Sequence, residues 1–247
     1  MALRGVASMT QVVVPSKAST IIVVRHNSTD GFDVLLTRRP QKMPFLGGYL
    51  VFPGGVVEKE DCSDRMISRC TGLSPFEAQT ILGGGLSPEI SFGYWVAAAR
   101  ELFEETGIHF FVSESGRLSD PKVEDLNARL SKKRKALADG RIDLPYLLES
   151  EQSFCDLSRM IYLFHRITPE KNQIRFDTRF YLAALPINQT SLTSSEEVEE
   201  SFWITPQAAL ERVQSGNFPM LPPTIIALQQ LAEHRSWPDL CRAFRLS

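Results

Sequence analysis

The chain has 247 residues, 43% of them hydrophobic, and a formal net charge of -2 at pH 7. This length and composition predict one large domain, or one domain with insertions. The small net charge predicts no bulk attraction to nucleic acid or anionic membranes, and no apolar run approaches membrane-spanning length. The scattered cysteines argue against a disulfide framework or a zinc site and favour a reducing compartment; they are Cys62, Cys70, Cys155 and Cys241.

The two ends of the chain are predicted to lie outside the domain. Residues 1–18 contain Arg4 and Lys17 but no acid, and they lack an amphipathic pattern, so we expect a disordered tail. We expect a single domain over residues 19–235 and a second tail over residues 236–247. The predicted location is the cytoplasm, with organellar import left open because the first residues faintly resemble a transit peptide.

The first elements of the predicted domain are strands. The β-branched and apolar runs at residues 20–25 and 32–38 flank turn-forming residues and predict a hairpin. A third short strand over residues 49–52 stops at Pro53, Gly54 and Gly55. The two glycines allow the backbone to approach a ligand or a metal closely.

A helix rich in carboxylates is predicted near residues 94–106. Alanine is the best helix former, and Gly107 suits a left-handed C-cap. Glu101, Glu104 and Glu105 stand at i, i+3 and i+4, so one face of the helix carries all three carboxylates. Such acids repel one another unless a divalent cation relieves the repulsion. The alternative is an ordinary solvated acidic face.

The glycine turn and the acidic helix together resemble the nudix box of the nudix hydrolases. The family pattern is G-x5-E-x7-R-E-U-x-E-E-x-G-U, where U is aliphatic, and the run from Arg100 to Ile108 matches its second half at every fixed position. The first half is interrupted, since 38 residues separate Asp61 from Arg100 where the family has seven. The role of the first family glutamate therefore falls to Asp61, to Glu58 or Glu60, or to no residue.

The interruption is predicted to be an insertion over about residues 61–93. Ser74, Pro75 and Glu77 predict a helix that starts with a capping box. Ser87, Pro88 and Glu89 repeat the start signal before the acidic helix. The insertion is either a surface excursion or a flap beside the active site. A box with an insertion resembles the coenzyme A diphosphatase subfamily, although the histidine of that group's coenzyme A motif is absent near Gly47.

A second helical addition is predicted over about residues 117–153, beside the catalytic sheet. His109, which precedes it, is expected to be packed or at an edge and not a ligand. The four cations at residues 132–135 wrap around a helix and favour a solvated face over a phosphate-attracting one. Further on, Arg175, Asp177 and Arg179 share one face of a predicted strand. The two arginines suit either phosphate recognition or a cross-strand ladder of salt bridges.

The nudix resemblance implies a fold, a cofactor and a set of site residues. The fold class would be α/β, a nudix α/β/α sandwich with a mixed sheet and extra helical insertions. Mg²⁺ or Mn²⁺ would be the cofactor, and Arg100, Glu101 and Glu104 would be the catalytic residues. The implied metal ligands are Glu101, Glu104 and Glu105 with the backbone at Gly54 and Gly55. Substrate would contact Arg38, Arg39, Arg175 and Arg179, and a loop base would come from Glu196 or Glu197.

The implied reaction is hydrolysis of a nucleoside diphosphate linked to another group. The resemblance favours coenzyme A or its acyl esters, with 3′,5′-ADP and a phosphopantetheine as products. ADP-ribose, a dinucleotide or a nucleotide sugar is an alternative substrate, and a nucleotide sensor without catalysis is an alternative function. The expected partners are a small nucleoside diphosphate derivative and, as an open option, a second copy of the chain; neither nucleic acid nor a membrane is expected.

Overall fold

The computed structural model describes residues 13–27, 31–113, 124–195 and 197–245. In these residues seven strands form one mixed sheet and three form a second, smaller sheet. The strands of the large sheet are β1 (Ser16–His26), β2 (Phe32–Arg38), β3 (Leu50–Val51), β4 (Gly54–Val56), β8 (Met160–Ile167), β9 (Phe176–Ala184) and β10 (Glu200–Ile204); those of the small sheet are β5 (Cys70–Thr71), β6 (Phe111–Ser113) and β7 (Ser153–Asp156).

The large sheet runs in the order β10-β2-β1-β9-β8, with β3 added beside β2 and β4 beside β1. Strand β1 is antiparallel to β2, as the predicted hairpin requires, and parallel to β9 from Ser16 to Val24. Because strand side chains alternate, Ile21 and Val23 enter one hydrophobic core while Ile22 and Val24 enter the other.

Helices cover both faces of this sheet. They are α1 (Asp64–Ile67), α2 (Pro75–Leu82), α3 (Pro88–Thr106), α4 (Glu124–Ala138), α5 (Leu144–Ser150), α6 (Pro206–Gln214), α7 (Pro222–Ala232) and α8 (Trp237–Arg245). Helices α3, α4 and α5 contribute to the core on one face, and α6, α7 and α8 to the core on the other. The α/β/α sandwich with a mixed sheet is therefore confirmed. Among the described residues, no helix combines the length and apolarity needed to span a bilayer.

The insertion and the helical addition form one layer. The predicted capping box at Ser74 and Glu77 is present at the start of α2. Strand β5 of the insertion pairs with β7, which follows the addition. Arg65 on α1 binds Asp143 at 3.0 Å and Glu149 at 2.6 Å at the two ends of α5. The two extra segments therefore support each other.

Helix α3 starts at the signal that Ser87, Pro88 and Glu89 give in the sequence, before the run that begins at Tyr94. The Ser87 side chain accepts a hydrogen bond from the Ile90 N–H, and Pro88 occupies the first turn, so the helix starts six residues before Tyr94. The last residues of the expected insertion are thus the first turns of the acidic helix. Gly107 closes α3 in the left-handed conformation, as predicted.

Both predicted ends of the domain differ from the observed ones. Strand β1 begins at Ser16 because its pairing with β9 extends that far, whereas residues 1–12 lie outside the described part of the chain. The expected tail over residues 236–247 is wrong, since α8 occupies most of it. Leu240 of α8 is fully buried, and Trp237, Cys241 and Phe244 pack against the same core.

His109 is a buried core residue, as predicted. Its ring stacks on Phe111 with centroids 4.6 Å apart, and its Nδ1 accepts the Phe111 N–H at 3.3 Å. Burial lowers the pKa of His109 to about 4. The folded pKa therefore lies below the unfolded value of 6.5, so the unfolded chain binds a proton first as the pH falls.

The expected result is a loss of stability on acidification that depends on this ring. Between pH 7 and pH 5 the His109 contribution to the free energy of unfolding should fall by about 2 kcal/mol. His109→Phe should remove that part of the loss, while His26→Phe, at an exposed position, should not. Urea unfolding at the two pH values measures it, and equal losses in wild type and His109→Phe would refute the assignment.

Candidate active site

The centre of the site is the contact between α3 and the glycine turn, which consists of Gly54 and Gly55 at the start of β4. A Cβ added to Gly55 would collide with the carboxylate of Glu101, and one added to Gly54 would collide with the backbone of Ser19. The Ser19 hydroxyl donates a hydrogen bond of 2.6 Å to the Tyr94 carbonyl, which ties β1 to α3. The two glycines therefore allow α3 to place its carboxylates directly against the backbone.

Arg100 organises these carboxylates from a buried position. Its Nε and Nη2 donate to Asp61 at 3.0 and 3.1 Å, and its Nη1 donates to Glu101 at 2.9 Å and Glu104 at 3.2 Å. Nη2 also donates to the Val56 carbonyl at 2.8 Å. Burial opposes the charge of Arg100, but the surrounding carboxylates outweigh it and hold the pKa of Arg100 above its ordinary value.

Asp61 is the acid that anchors Arg100. Its side chain is 2% exposed, and it accepts the Glu58 N–H at 2.8 Å besides the two bonds from Arg100. Glu58 itself is 57% exposed and lies 3.9 Å from Arg100, and no ion pair joins Glu60 to Arg100 among the described residues. Of the three acids that the sequence left open, Asp61 thus occupies the position where the interrupted box meets α3.

The three glutamates of α3 lie in different surroundings. Burial raises the pKa of Glu104 to about 8; Arg100 opposes the shift, and the negative charge of Glu101 adds to it. Burial also raises the pKa of Glu101, although Arg100 opposes it. Glu105 is the most enclosed: burial, and next the charge of Glu101, hold its pKa well above the usual range. Its Oε2 has no hydrogen-bond partner in the structure.

This donor set fits a hard divalent cation that keeps several waters. Among the described residues no three acidic, histidine or cysteine side chains converge as a complete metal cage. Arg100 takes one oxygen each of Glu101 and Glu104, which leaves their other oxygens and the unpartnered Oε2 of Glu105. Mg²⁺ commonly binds through few carboxylates and retains water, so the neighbouring carbonyls of the glycine turn can complete such a site.

A cavity of about 840 Å³ opens in front of these carboxylates. We call it the acidic mouth; on one side it is lined by Glu58, Glu60, Asp61, Glu101, Glu104 and Glu197. Glu197 is exposed, and its charge contributes to the raised pKa of Glu101 and of Glu104. Glu196, the other predicted loop residue, lies outside the described residues.

Arg39 is the predicted substrate arginine that lies nearest to the carboxylates. It lines a second cavity of about 610 Å³ next to Gly54 and Gly55, and its charge lowers the pKa of Glu105. Its Nε is buried and has no hydrogen-bond partner among the described residues. Arg38 points elsewhere, because it donates to the Gly48 carbonyl at 3.2 Å and its guanidinium lies over the Phe202 ring.

The guanidinium groups of Arg175 and Arg179 make contacts within the fold. Arg175 donates to the carbonyls of Thr168 and Val13 at 3.0 and 2.6 Å. Arg179 pairs with Asp177, and its guanidinium lies 4.9 Å from the centre of the Tyr94 ring. Asp177 also binds His165 on the neighbouring strand at 2.6 Å. These contacts correspond to the cross-strand ladder of salt bridges, one of the two interpretations of the sequence.

The residues that alternate with these arginines face the second cavity instead. Phe176, Thr178 and Phe180 line it, because they alternate with the arginines along β9. Neither Arg175 nor Arg179 belongs to the lining of this cavity or of the acidic mouth. The period of the strand was predicted correctly, and the sequence had left the role of its arginines open between phosphate recognition and a ladder of salt bridges.

The sequence reasoning missed several residues around α3. Arg134, in the basic run of α4, donates to the Glu104 carbonyl at 2.5 Å, so part of that run supports the end of the acidic helix. Arg141 and Tyr146 line the mouth opposite the carboxylates. No local pattern marks these residues, because each reaches the site only through the packing of the helical addition.

Comparison with known proteins finds similar chains among the nudix hydrolases. No protein-family model matches the chain. The crystal structure of a nudix hydrolase from Alicyclobacillus acidocaldarius is similar, with a TM-score of 0.75 and 26% identity over 94% of this chain and 97% of that one. Acyl-coenzyme A diphosphatase NUDT19 of Xenopus laevis is 26% identical over 236 residues, 84% of this chain and 61% of that protein. Putative nudix hydrolase 7 of Caenorhabditis elegans is 25% identical, over 85% of this chain and 59% of that protein.

The fold and the site together define the class of protein. A mixed sheet between two helical layers, with a carboxylate-bearing helix against a glycine turn, is the nudix α/β/α sandwich. The chain has this fold and is similar in sequence to nudix hydrolases, among them proteins named acyl-coenzyme A diphosphatases. It spans about 60% of the length of the curated relatives it matches.

Proposed function

We propose that the protein is a metal-dependent diphosphate hydrolase that acts on coenzyme A or its acyl esters. The reaction would give 3′,5′-ADP and phosphopantetheine or its acyl derivative. The observation that carries the proposal is the set of α3 carboxylates placed against Gly54 and Gly55 and held by a buried Arg100. The resemblance to proteins named acyl-coenzyme A diphosphatases supports the choice of substrate.

Arg100 and the carboxylates of α3 would together form the metal site. Arg100 fixes the orientation of Glu101 and Glu104, so that their remaining oxygens face the mouth without reorganisation during the reaction. With Glu105 and the Gly54–Gly55 backbone these would hold Mg²⁺ or Mn²⁺. Bound cations of this kind neutralise a diphosphate and lower the pKa of a coordinated water.

Proton transfer requires a carboxylate near the mouth. Water adds to one phosphorus, the bridging P–O bond breaks, and the proton of the water passes to a carboxylate. Glu104, which lines the mouth, is the first candidate for this role. Glu197 is the second candidate, since it also lines the mouth and is exposed.

The acidic mouth and the second cavity would hold the two ends of the substrate. The second cavity would receive the part that carries no nucleoside. Arg39 stands at its junction with the glycine turn, where a guanidinium suits phosphate oxygens. Phe45 and Phe176, with ring centroids 6.0 Å apart, contribute apolar surface to it. Such a cavity fits a pantetheine arm or an acyl chain better than a second charged nucleotide.

A substrate panel tests this function. Purified protein is incubated with Mg²⁺ or Mn²⁺ and coenzyme A, an acyl-coenzyme A, ADP-ribose, a dinucleotide or a nucleotide sugar, and products are separated by chromatography. We expect 3′,5′-ADP from the coenzyme A substrates, with kcat/KM about tenfold above the others, a difference of about 1.4 kcal/mol. Preference for another substrate would refute the coenzyme A assignment, and cleavage of none would favour a nucleotide sensor.

A further inference from the structure

The acidic mouth has a second wall that the nudix box does not supply. Residues 137, 138 and 140–146, at the junction of α4 and α5, line the same cavity as the carboxylates of α3. Arg65 of the box insertion holds this junction through Asp143 and Glu149. The insertion is therefore neither a free flap nor a remote decoration, because it fixes the wall that faces the catalytic glutamates.

The junction is a rigid turn, and Arg141 is at its centre. The Gly140 N–H donates to the Leu137 carbonyl, and the Arg141 N–H donates to the Ala136 carbonyl, both at 2.8 Å. Gly140 adopts a left-handed φ of 66°, so the turn closes α4 in a geometry that favours glycine. On the far side, Asp143 caps α5 by accepting the Tyr146 N–H at 2.7 Å.

The charge balance of the mouth singles out Arg141. Among the described residues that line the mouth, the only cations are Arg100 and Arg141. Arg100 is 4% exposed and is occupied by Asp61, Glu101 and Glu104. Arg141 is 60% exposed, and its Nε and Nη2 both donate to Asp139, which leaves Nη1 without an acceptor in the described structure.

We propose that Arg141 binds a phosphate monoester that the substrate carries beyond the scissile diphosphate, and so determines specificity. The inference rests on the proposed function and deepens it. Glu58, Glu60 and Glu197 give the mouth negative charge that would repel an additional anion. A guanidinium with a free edge is the group in the opposite wall that can offset this repulsion and hydrogen-bond phosphate oxygens.

Tyr146 adds a reason to expect a nucleotide at this wall. Its side chain lines the mouth and the residue is 50% exposed, so an aromatic face is available next to Arg141. Aromatic side chains stack with bases in a way that tolerates different bases. The adenosine half of coenzyme A carries a 3′-phosphate beside a base, which matches the cation and the ring together.

The test compares ligands that differ only in this phosphate. Steady-state kinetics with coenzyme A and dephospho-coenzyme A are measured for wild type, Arg141→Gln and Arg141→Lys. We expect Arg141→Gln to raise KM for coenzyme A about tenfold, with kcat within about twofold and KM for dephospho-coenzyme A unchanged, because a charged hydrogen bond of this kind contributes about 1.4 kcal/mol. Arg141→Lys should restore part of the discrimination.

Arg242→Gln on α8 is the matched control. It is also an exposed arginine paired with an aspartate, Asp239 at 3.2 Å, but lies outside the lining of the mouth. Its kinetics should remain as in wild type. Equal changes of KM for both substrates in Arg141→Gln, or no change for either, would overturn the role of Arg141.

A binding measurement separates this inference from the proposed reaction. Calorimetric titration with 3′,5′-ADP and 5′-AMP in the presence of Mg²⁺ gives an affinity ratio that needs no turnover. If wild type cleaves no diphosphate, the proposed reaction fails, but a preference for 3′,5′-ADP that is lost in Arg141→Gln still supports the phosphate site. A ratio that is the same in both proteins refutes it.

Discussion

Replacing Glu104 with glutamine is expected to lower kcat by about 10³-fold, equivalent to about 4 kcal/mol of transition-state stabilisation. The amide keeps the shape of the side chain and an oxygen for the hydrogen bond from Arg100. It removes the negative charge that a divalent cation needs and cannot accept a proton as a carboxylate does. Steady-state hydrolysis of coenzyme A with saturating Mg²⁺ measures the loss.

The fold should remain intact in this variant. Burial and the negative charge of Glu101 raise the pKa of Glu104, so removal of its charge relieves repulsion and should leave the melting temperature equal or slightly higher. Glu60→Gln is the matched control, because Glu60 lines the mouth but does not lie on α3. Turnover at the wild-type rate in Glu104→Gln would remove the metal and base roles assigned to this residue.

The carboxylate half of the candidate site was predictable because its residues are close in the sequence. Glu101, Glu104 and Glu105 are placed by one helix, and the spacing i, i+3, i+4 fixes their common side. Their burial was not predictable in the same way. Glu105 lies enclosed beside Arg39 and the glycine turn, whereas Glu104 faces the mouth, because tertiary packing decides the depth of each side chain.

The structure was needed to identify Asp61 as the partner of Arg100. In the sequence 38 residues separate it from Arg100, and Glu58 and Glu60 are equally plausible from spacing alone. The insertion folds back so that Asp61, buried, meets Arg100 with two hydrogen bonds, whereas Glu58 is exposed and lies 3.9 Å from Arg100. A contact between residues so far apart in the sequence leaves no local sequence pattern that could predict it.

Two further differences have specific physical causes. The period of β9 was clear, but both faces of a strand in this sandwich are covered, so alternation alone could not say that Phe176 and Phe180 line the cavity. The C-terminal helix did have a signal. Trp237, Leu240 and Phe244 recur at helical spacing and bury against the core, a pattern that outweighs the position of the segment at the chain end.

Removing the buried cation is expected to cause the largest loss of stability. Arg100→Met keeps most of the side-chain volume but leaves Asp61, Glu101 and Glu104 without the charge that compensates them. Removing one partner of a buried ion pair costs about 3 to 5 kcal/mol. For a chain of this size that corresponds to a fall in melting temperature of roughly 10 °C, which differential scanning calorimetry at pH 8 would detect.

The pH dependence of this loss distinguishes charge repulsion from a packing defect. Burial raises the pKa values of Asp61, Glu101 and Glu104 above their unfolded values, and Arg100 opposes each shift. Without Arg100 the folded state therefore binds more protons than the unfolded state, and its stability rises as the pH falls. The difference in melting temperature between wild type and Arg100→Met should be clearly smaller at pH 5 than at pH 8.

A surface arginine provides the comparison. Arg65 also binds two carboxylates, Asp143 and Glu149, but its side chain is 44% exposed. Arg65→Met should lower the melting temperature much less, and by a similar amount at both pH values, since water already screens its charge. Mg²⁺ should also stabilise Arg100→Met more than wild type, because a cation bound at α3 replaces part of the missing charge. A loss in Arg100→Met that is independent of both pH and Mg²⁺ would mean that Arg100 acts through packing, and the carboxylates of α3 would then not behave as an electrostatically coupled group.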